Sequence, residues 1–364
     1  MEQPPWAIPA VLQGRKIGMN SKFDPDKVIY TPPEVSLYGK KQVGWIKENQ
    51  HRALNFFIPG IDEYFAPMLP GESCIVIGQT SNYKSGFLHA WEFAAARQFQ
   101  AQKREEVIVH VSVEENVEEQ AYLLLGIESG MDSGQIARGQ VQDWTLLEKA
   151  AIKVGTVPIY RIGHSLARPE HMSQLYLSNM IRALIHLRDN MLGDRKIGAI
   201  FFDYLQAFPF DTETKTAGME ARRRLQVRND FYRIHDAATF FQCPVIVASQ
   251  AKQHLNFQGP IMIPSHYDSE ESSAPAQRTS RSIQLWMPKM NYPPGHRLKH
   301  GGFSFDVKEN HIFVKAGKQR GRLPAGKSWL CWIDFSKNTV TTIGKNNPPT
   351  NSNSPIAGPD KQNG

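Results

Sequence analysis

Ser73-Cys74-Ile75-Val76-Ile77-Gly78-Gln79-Thr80-Ser81-Asn82-Tyr83-Lys84-Ser85 is the stretch on which the reading of this 364-residue chain turns. It opens as an apolar run of the kind a strand takes when both of its faces are buried. From Gly78 to Ser85 it follows the pattern G-x-x-x-x-G-K-[ST], except that Tyr83 stands where the second glycine belongs. In such a loop the backbone N–H groups cradle phosphates, the lysine reaches the β- and γ-phosphates, and the hydroxyl ligates Mg²⁺. The expected phosphate site is therefore Gly78, Gln79, Thr80, Ser81, Asn82, Tyr83, Lys84 and Ser85. Tyr83 restricts the backbone and puts a bulky ring beside the nucleotide, so a loop with weak or no binding is the alternative.

Working outward, short apolar runs alternate with helical patterns. Val107–Val113, Val157–Ile162, Ala199–Asp203 and Val245–Ser249 read as further buried strands, with helices at Gly86–Phe99, Val117–Leu125, Glu170–Leu187 and Ala221–Phe241 between them. In the last helix Val227, Phe231, Ile234, Ala238 and Phe241 recur at spacings of four and three and face the sheet. Arg222, Arg223, Arg224, Arg228 and Arg233 take its other side, a solvated face or a surface for nucleic acid. After Ser249 comes a long polar stretch to Arg281, then strand-like runs at Ile283–Met287, Phe303–Val307, His311–Ala316, Ser328–Phe335 and Val340–Ile343. The expected fold class is α/β, a mostly parallel central sheet flanked by helices, with antiparallel strands toward the C-terminus.

Two carboxylates complete the candidate chemistry. Asp203 ends an apolar strand, where an acid holds the Mg²⁺ water shell beside a phosphate loop. Glu114 and Glu115 follow the strand Val107–Val113, and parallel strands end at one edge, which places Glu114 near the nucleotide as the group that orients or deprotonates water. Glu114 is preferred over Glu115; the alternative is that both acids only favour the dipole of the next helix.

A net charge of +7 favours a polyanionic partner. With 41% hydrophobic residues and no apolar run near the roughly 18 residues of a membrane span, the expectation is a cytoplasmic protein without a membrane partner. Cys74, Cys243 and Cys331 lie apart among apolar neighbours and read as small buried side chains. The histidines, His164 and His254 most conspicuous among them, read as structural rather than as zinc ligands. Residues 1–55 read as an extended arm, 56–343 as the folded domain and 344–364 as a disordered tail.

Further runs carry a resemblance. Asp203-Tyr204-Leu205-Gln206, the strand ending Ala248-Ser249-Gln250, Lys318-Gln319-Arg320, Gly60-Ile61-Asp62 with Pro70-Gly71-Glu72, and Ser112-Val113-Glu114 are similar, in order and spacing, to the ATPase domain of DnaB-type hexameric replicative helicases. The resemblance covers residues 56–343 and implies a RecA-like P-loop core that binds ATP and Mg²⁺. By it Lys84, Ser85 and Asp203 are the phosphate and Mg²⁺ ligands, Glu114 the catalytic base and Gln250 a sensor of the γ-phosphate. Lys318 and Arg320 are then the basic pair that reaches a neighbouring subunit's nucleotide. Lys215, Lys252, Gln253 and His254, and less directly Arg278 and Arg281, become candidate contacts to single-stranded DNA in a central channel.

The activity implied is a DNA-stimulated ATPase that unwinds duplex DNA as a homo-oligomer, a hexameric ring moving 5′ to 3′, with loader or other replication or mobile-element proteins as partners. Two alternatives remain open: a RecA-fold ATPase for recombination or loading that does not unwind, and a nucleotide-binding scaffold with little turnover. The helical N-terminal domain used for primase binding is not seen in this sequence, and the insertion from Gln258 to Arg281 is unlike the family's spacing.

Overall fold

In the computed structural model the described residues are 29–209, 219–253, 255, 257, 259–270, 277–300, 303–319 and 326–343, with the backbone alone for 171, 219–222 and 303. In chain order they form α1 (Pro32–Asn49), β1 (Ser73–Gly78), α2 (Lys84–Ala101), β2 (Glu106–Ser112), α3 (Val117–Ser129), α4 (Ser133–Ala137), α5 (Trp144–Val154), β3 (Ile159–Ile162), α6 (Leu177–His186), β4 (Lys196–Asp203), α7 (Met219–Phe241), β5 (Val245–Gln250), β6 (Arg281–Trp286), β7 (Arg297–His300), β8 (Phe303–Asp306), β9 (His311–Gln319), β10 (Ser328–Asp334) and β11 (Thr339–Thr342).

β1 is apolar along its length because both of its faces enter a core. Cys74 and Val76 pack into one cluster with α2, and Ile75 and Ile77 into a second with α6 and α7. A strand buried on both sides belongs in the middle of a sheet, and β1 lies between β5 and β6, parallel to each. The nine-stranded order is β11-β10-β9-β6-β1-β5-β4-β2-β3. β1 to β6 are parallel, and β9, β10 and β11 continue the sheet antiparallel, which is the α/β class that the alternation of strands and helices implied.

Register decides where the functional groups go. Gly78 pairs with Gln250 and Ser112 with Asp203, so the carboxyl ends of β1, β5, β4 and β2 lie along one edge. α2 is clamped beneath the phosphate loop by Phe87, Trp91, Ala95 and Phe99, spaced by four residues and buried together with Leu88 and Ala96. Each of the large side chains contributes about 1.5–3 kcal/mol by burial. α7 buries Val227, Phe231, Ile234, Ala238 and Phe241 as its periodicity requires. On its other side Arg224, Arg228 and Arg233 are exposed, whereas Arg223 turns back to donate to the carbonyls of Gln206 and Phe208.

Three stretches differ from expectation. Within the arm expected to be extended, Pro32–Asn49 is helical: Thr31 and Glu34 form a reciprocal capping box, with prolines in the first turn where a missing N–H costs nothing. The helix expected over Glu170–Leu187 starts as a 3₁₀ turn, Pro169–Gln174, becomes α6 at Leu177 and runs on into a π turn, Leu187–Met191. α5, joined to the α3–α4 segment, is a helix that the sequence reading does not contain. The proline-rich run after β6 makes a 3₁₀ turn, Pro288–Met290, after which Asn291 Oδ1 accepts from buried Trp286 Nε1 at 2.8 Å. That turn leads to the β7–β8 hairpin, whose Leu298 joins Trp286, Phe313 and Leu330 in a third cluster. Cys74, Cys243 and Cys331 are buried.

Candidate nucleotide site at the carboxyl edge of the sheet

The loop between β1 and α2 holds two non-glycine residues in the left-handed region, Ser81 and Tyr83, each at φ 62°. At Tyr83 this is the conformation that makes glycine the usual choice. Gly86, one turn into α2, makes room for the ring, since a Cβ there would lie 2.2 Å from Tyr83 Cε2. The ring meets Phe335 edge-on at 5.7 Å, and its hydroxyl bonds Asn338 Oδ1 in the β10–β11 turn. Asn338 Nδ2 in turn donates to Gly86 O at 3.2 Å. Burial raises the Tyr83 phenol, which keeps it a neutral donor. Tyr83 therefore borders the phosphate cavity with its outer end anchored elsewhere. Asn82 is tied similarly, accepting from Met287 N at 2.7 Å and donating to Thr80 O at 3.1 Å, so the loop is pinned to the end of β6.

Lys84 Nζ donates to Gln79 O at 3.0 Å and to Gln250 Oε1 at 2.9 Å, while Gln250 Nε2 donates to Thr80 Oγ1 at 2.5 Å. Burial lowers the Lys84 pKa, and Asp203, Glu114 and Glu270 oppose that shift. Asp203 is 0% exposed, and neither of its oxygens has a hydrogen-bond partner at normal geometry. Burial first, then Glu115, pushes its pKa up to about 6; the nearby Ser85 hydroxyl and His89 pull the other way. A buried carboxylate with no partner carries a large desolvation penalty. Two unpartnered hard oxygens near a serine hydroxyl fit Mg²⁺.

Glu114 and Glu115 separate in a turn fixed at both ends. Ser112 Oγ accepts from Glu115 N at 3.1 Å, and Asn116 caps α3, accepting from Glu119 N at 2.8 Å while its own N–H donates to Glu119 at 3.0 Å. Glu114 faces the cavity, its pKa raised by partial burial first and then by the charge of Glu115. Glu115 turns the other way, to His89 Nε2 at 2.7 Å.

One cavity of about 410 Å³ collects Thr80, Ser81, Tyr83, Lys84, Ser85, Glu114, Tyr204, Gln250, Gln253 and Glu270. Glu270 was not expected; it lies in the polar stretch after β5 and is delivered by backbone pairing, its N–H donating to Gln250 O at 2.8 Å. Gln206 locks the arrangement, donating to Ser249 Oγ at 2.9 Å and Glu270 O at 3.2 Å and accepting from Gln250 N at 3.0 Å. Exposed Lys252 and Gln253 stand at the mouth, where their carbonyls accept from Gln79 Nε2 at 3.4 and 3.3 Å.

Lys318 is not in this cavity. It pairs with Ser282 near the start of β6, beside Ile75 early in β1, at the sheet edge away from Gly78, and its Nζ donates to Gln277 O at 3.0 Å. Arg281, a candidate DNA contact, is 1% exposed and donates to Pro67 O at 3.0 Å and Glu72 at 2.9 Å, so it is a structural tie. Arg278 is exposed and lies over the Tyr232 ring at 4.1 Å. Lys215, His254 and Arg320 lie outside the described residues.

No helix among the described residues is long and apolar enough to cross a membrane. Among curated proteins no sequence matches. Of solved structures, an isolated ATPase domain superposes with a TM-score of 0.62 at 14% identity, covering 84% of this chain and 98% of that one. A DnaB-like replicative helicase, described with its interactions with primase, superposes with a TM-score of 0.57 at 14% identity, covering 76% of this chain and 58% of its own. At such identity these two establish the fold. The family model of the DnaB-like helicase C-terminal domain matches residues 56–277, a span that takes in Lys84, Glu114, Asp203 and Gln250. With more than half of its length inside that match, the chain belongs to the DnaB-like helicase C-terminal domain family, a family of helicase-type ATPases.

Proposed function

We propose that the chain hydrolyses ATP as the motor unit of a ring that moves along single-stranded DNA and separates duplex strands. The observation that carries this reading is the meeting, in one cavity, of Lys84 held by Gln250 at 2.9 Å with Glu114 across from it and an unpartnered Asp203 at the same sheet edge. The N–H groups at the start of α2 face the phosphates, and Lys84 exchanges the carbonyl of Gln79 for phosphate oxygens. Ser85 and Asp203 would hold Mg²⁺, which when bound neutralises charge on the phosphate oxygens. Glu114 accepts the proton of the attacking water, and its raised pKa makes it a better base than a free carboxylate. Gln250, bonded to both Lys84 and Thr80, changes partners when a γ-phosphate arrives and passes that change to Lys252 and Gln253 on the following loop.

Ring assembly is supported by two features. Lys318 points away from its own cavity, which suits a group, with Arg320, that acts on a neighbour's nucleotide. α1 has no buried residue and exposes Val35, Leu37, Tyr38 and Val43, apolar side chains that a neighbouring copy would cover. Lys252 and Gln253, with Lys215 and His254, are the proposed contacts to single-stranded DNA, and the family resemblance implies 5′ to 3′ movement.

Phosphate release measured with and without single-stranded DNA, alongside displacement of a labelled strand, tests the proposal. The motor predicts stimulation by DNA and displacement, both lost in Lys84→Ala. Nucleotide-dependent DNA binding without displacement would leave an assembly factor, and tight nucleotide binding without phosphate release a scaffold.

A further inference from the structure

Behind the cavity, between α2 and the sheet, lies a polar cluster in otherwise apolar surroundings. Glu92 on α2 is 0% exposed and accepts three hydrogen bonds: from His89 Nδ1 at 2.8 Å, His110 Nδ1 at 2.7 Å and Arg161 Nη2 at 2.6 Å. The two imidazoles stack at 4.7 Å. His89 reaches Glu92 with one ring nitrogen and Glu115 Oε2, at 2.7 Å, with the other.

Carboxylates only accept, so His89, bonded to one through each nitrogen, carries a proton on both and is an imidazolium. Its pKa is raised to about 9, whereas that of His110, which meets a single carboxylate, falls to about 4. The charges close: Arg161 and His89 against Glu92 and Glu115, with His110 neutral. The buried cluster thus adds no net charge beside Asp203. His89, His110 and Asp203 bring ligand-type atoms within 4.8 Å of one another, but His89 has no free lone pair to give a metal.

The consequence falls on the pair Glu114–Glu115. Two adjacent carboxylates at the end of β2 compete for one position beside the phosphates, and their repulsion would let either turn in. We propose that His89 is a positioning residue for hydrolysis: it holds Glu115 back into the α2–sheet interface and so leaves Glu114 as the one carboxylate presented to the attacking water. Glu92, backed by Arg161 and His110, fixes the direction in which His89 points. This rests on the reading of Glu114 as the base.

The test uses the different reach of two amides. The asparagine side-chain nitrogen falls where Nδ1 of histidine lies, and that of glutamine where Nε2 lies. His89→Asn therefore keeps the bond to Glu92 and loses Glu115, whereas His89→Gln keeps Glu115 and loses Glu92. ATP turnover of the full chain is measured for both, with melting temperatures and with Glu114→Gln and Glu115→Ala alongside. His89→Asn is expected to lose kcat by about 10- to 100-fold with KM for ATP within about twofold, because a misplaced base affects the chemical step. His89→Gln is expected to recover most of that turnover although it melts no higher. Glu115→Ala, at a half-buried position that tolerates substitution, breaks the same bond from the other side and should match His89→Asn. Equal kcat in the two His89 variants, or an unchanged kcat in Glu115→Ala, overturns the proposal while Glu114→Gln stays inactive. Wild-type turnover in Glu114→Gln would instead show that the base itself is misassigned.

Discussion

The ring of Tyr83 fills the space that a side chain on Gly86 would need: a Cβ at Gly86 would lie 2.2 Å from Cε2 and 2.6 Å from Cζ. The glycine missing from the phosphate-loop pattern is thus answered by a glycine three residues later. Gly86→Ala must push the ring off Asn338 or distort the first turn of α2, where Lys84 and Ser85 lie. We expect a loss of about 1–3 kcal/mol of stability, typical of overpacking, together with weaker nucleotide binding. Melting and nucleotide titration of the variant check this, and wild-type values for both would contradict the compensation.

Tyr83→Gly tests the other half. Glycine would relieve the left-handed backbone by about 1 kcal/mol, but the variant loses the contacts to Phe335, Asn338 and Gly86. Because the outer end of the ring is anchored away from the phosphates, turnover should not rise, and melting should fall by a few degrees. A higher kcat in Tyr83→Gly would mean that the ring obstructs the nucleotide.

Much of this site is legible in the sequence because its carriers are local. The loop pattern from Gly78 to Ser85 and the acids at the ends of apolar strands, Asp203 and Glu114, announce themselves by residue type and position, and strands buried on both faces read as unbroken apolar runs. The His89 cluster is built from partners far apart: Glu92 meets His110 18 residues away and Arg161 69 residues away. Its traces are a histidine and a glutamate three apart on α2 and a histidine inside the apolar run of β2. Glu270 and Asn338 give no local signal, since each reaches the site through a turn whose course the sequence does not specify. The start of α1 is written in Thr31-Pro32-Pro33-Glu34, a capping box whose signal is masked by surroundings rich in proline and lysine.

Stability should depend on pH through His89. Its folded pKa of about 9 lies above the ordinary value of 6.5, so its contribution is complete below pH 6.5 and is lost as pH rises from there through 9. For this fully buried group the loss is on the order of 3 kcal/mol. Glu92 and Glu115, held below the usual carboxylate range, act in the opposite sense and lose their contribution as pH falls. Denaturant unfolding at pH 6.5 and 9.5 should show the alkaline loss in the wild type and a much smaller one in His89→Gln. An equal loss in both would exclude His89 as its source.

Removing residues 1–50 takes away α1 and leaves the sheet and both main core clusters intact, since no residue of α1 is buried. The truncated chain should melt near the wild-type temperature but sediment as a smaller species. An unchanged assembly size would show that the exposed apolar residues of α1 do not join neighbouring copies.

The most direct measurement is equilibrium titration of the full chain with ATP in the presence and absence of Mg²⁺, for the wild type and Lys84→Ala. The account predicts saturable binding that Mg²⁺ strengthens and that Lys84→Ala weakens by about 100-fold or more, as expected when a buried charge-assisted contact to phosphate is removed. Equal affinity in Lys84→Ala, or no binding by the wild type, would contradict it.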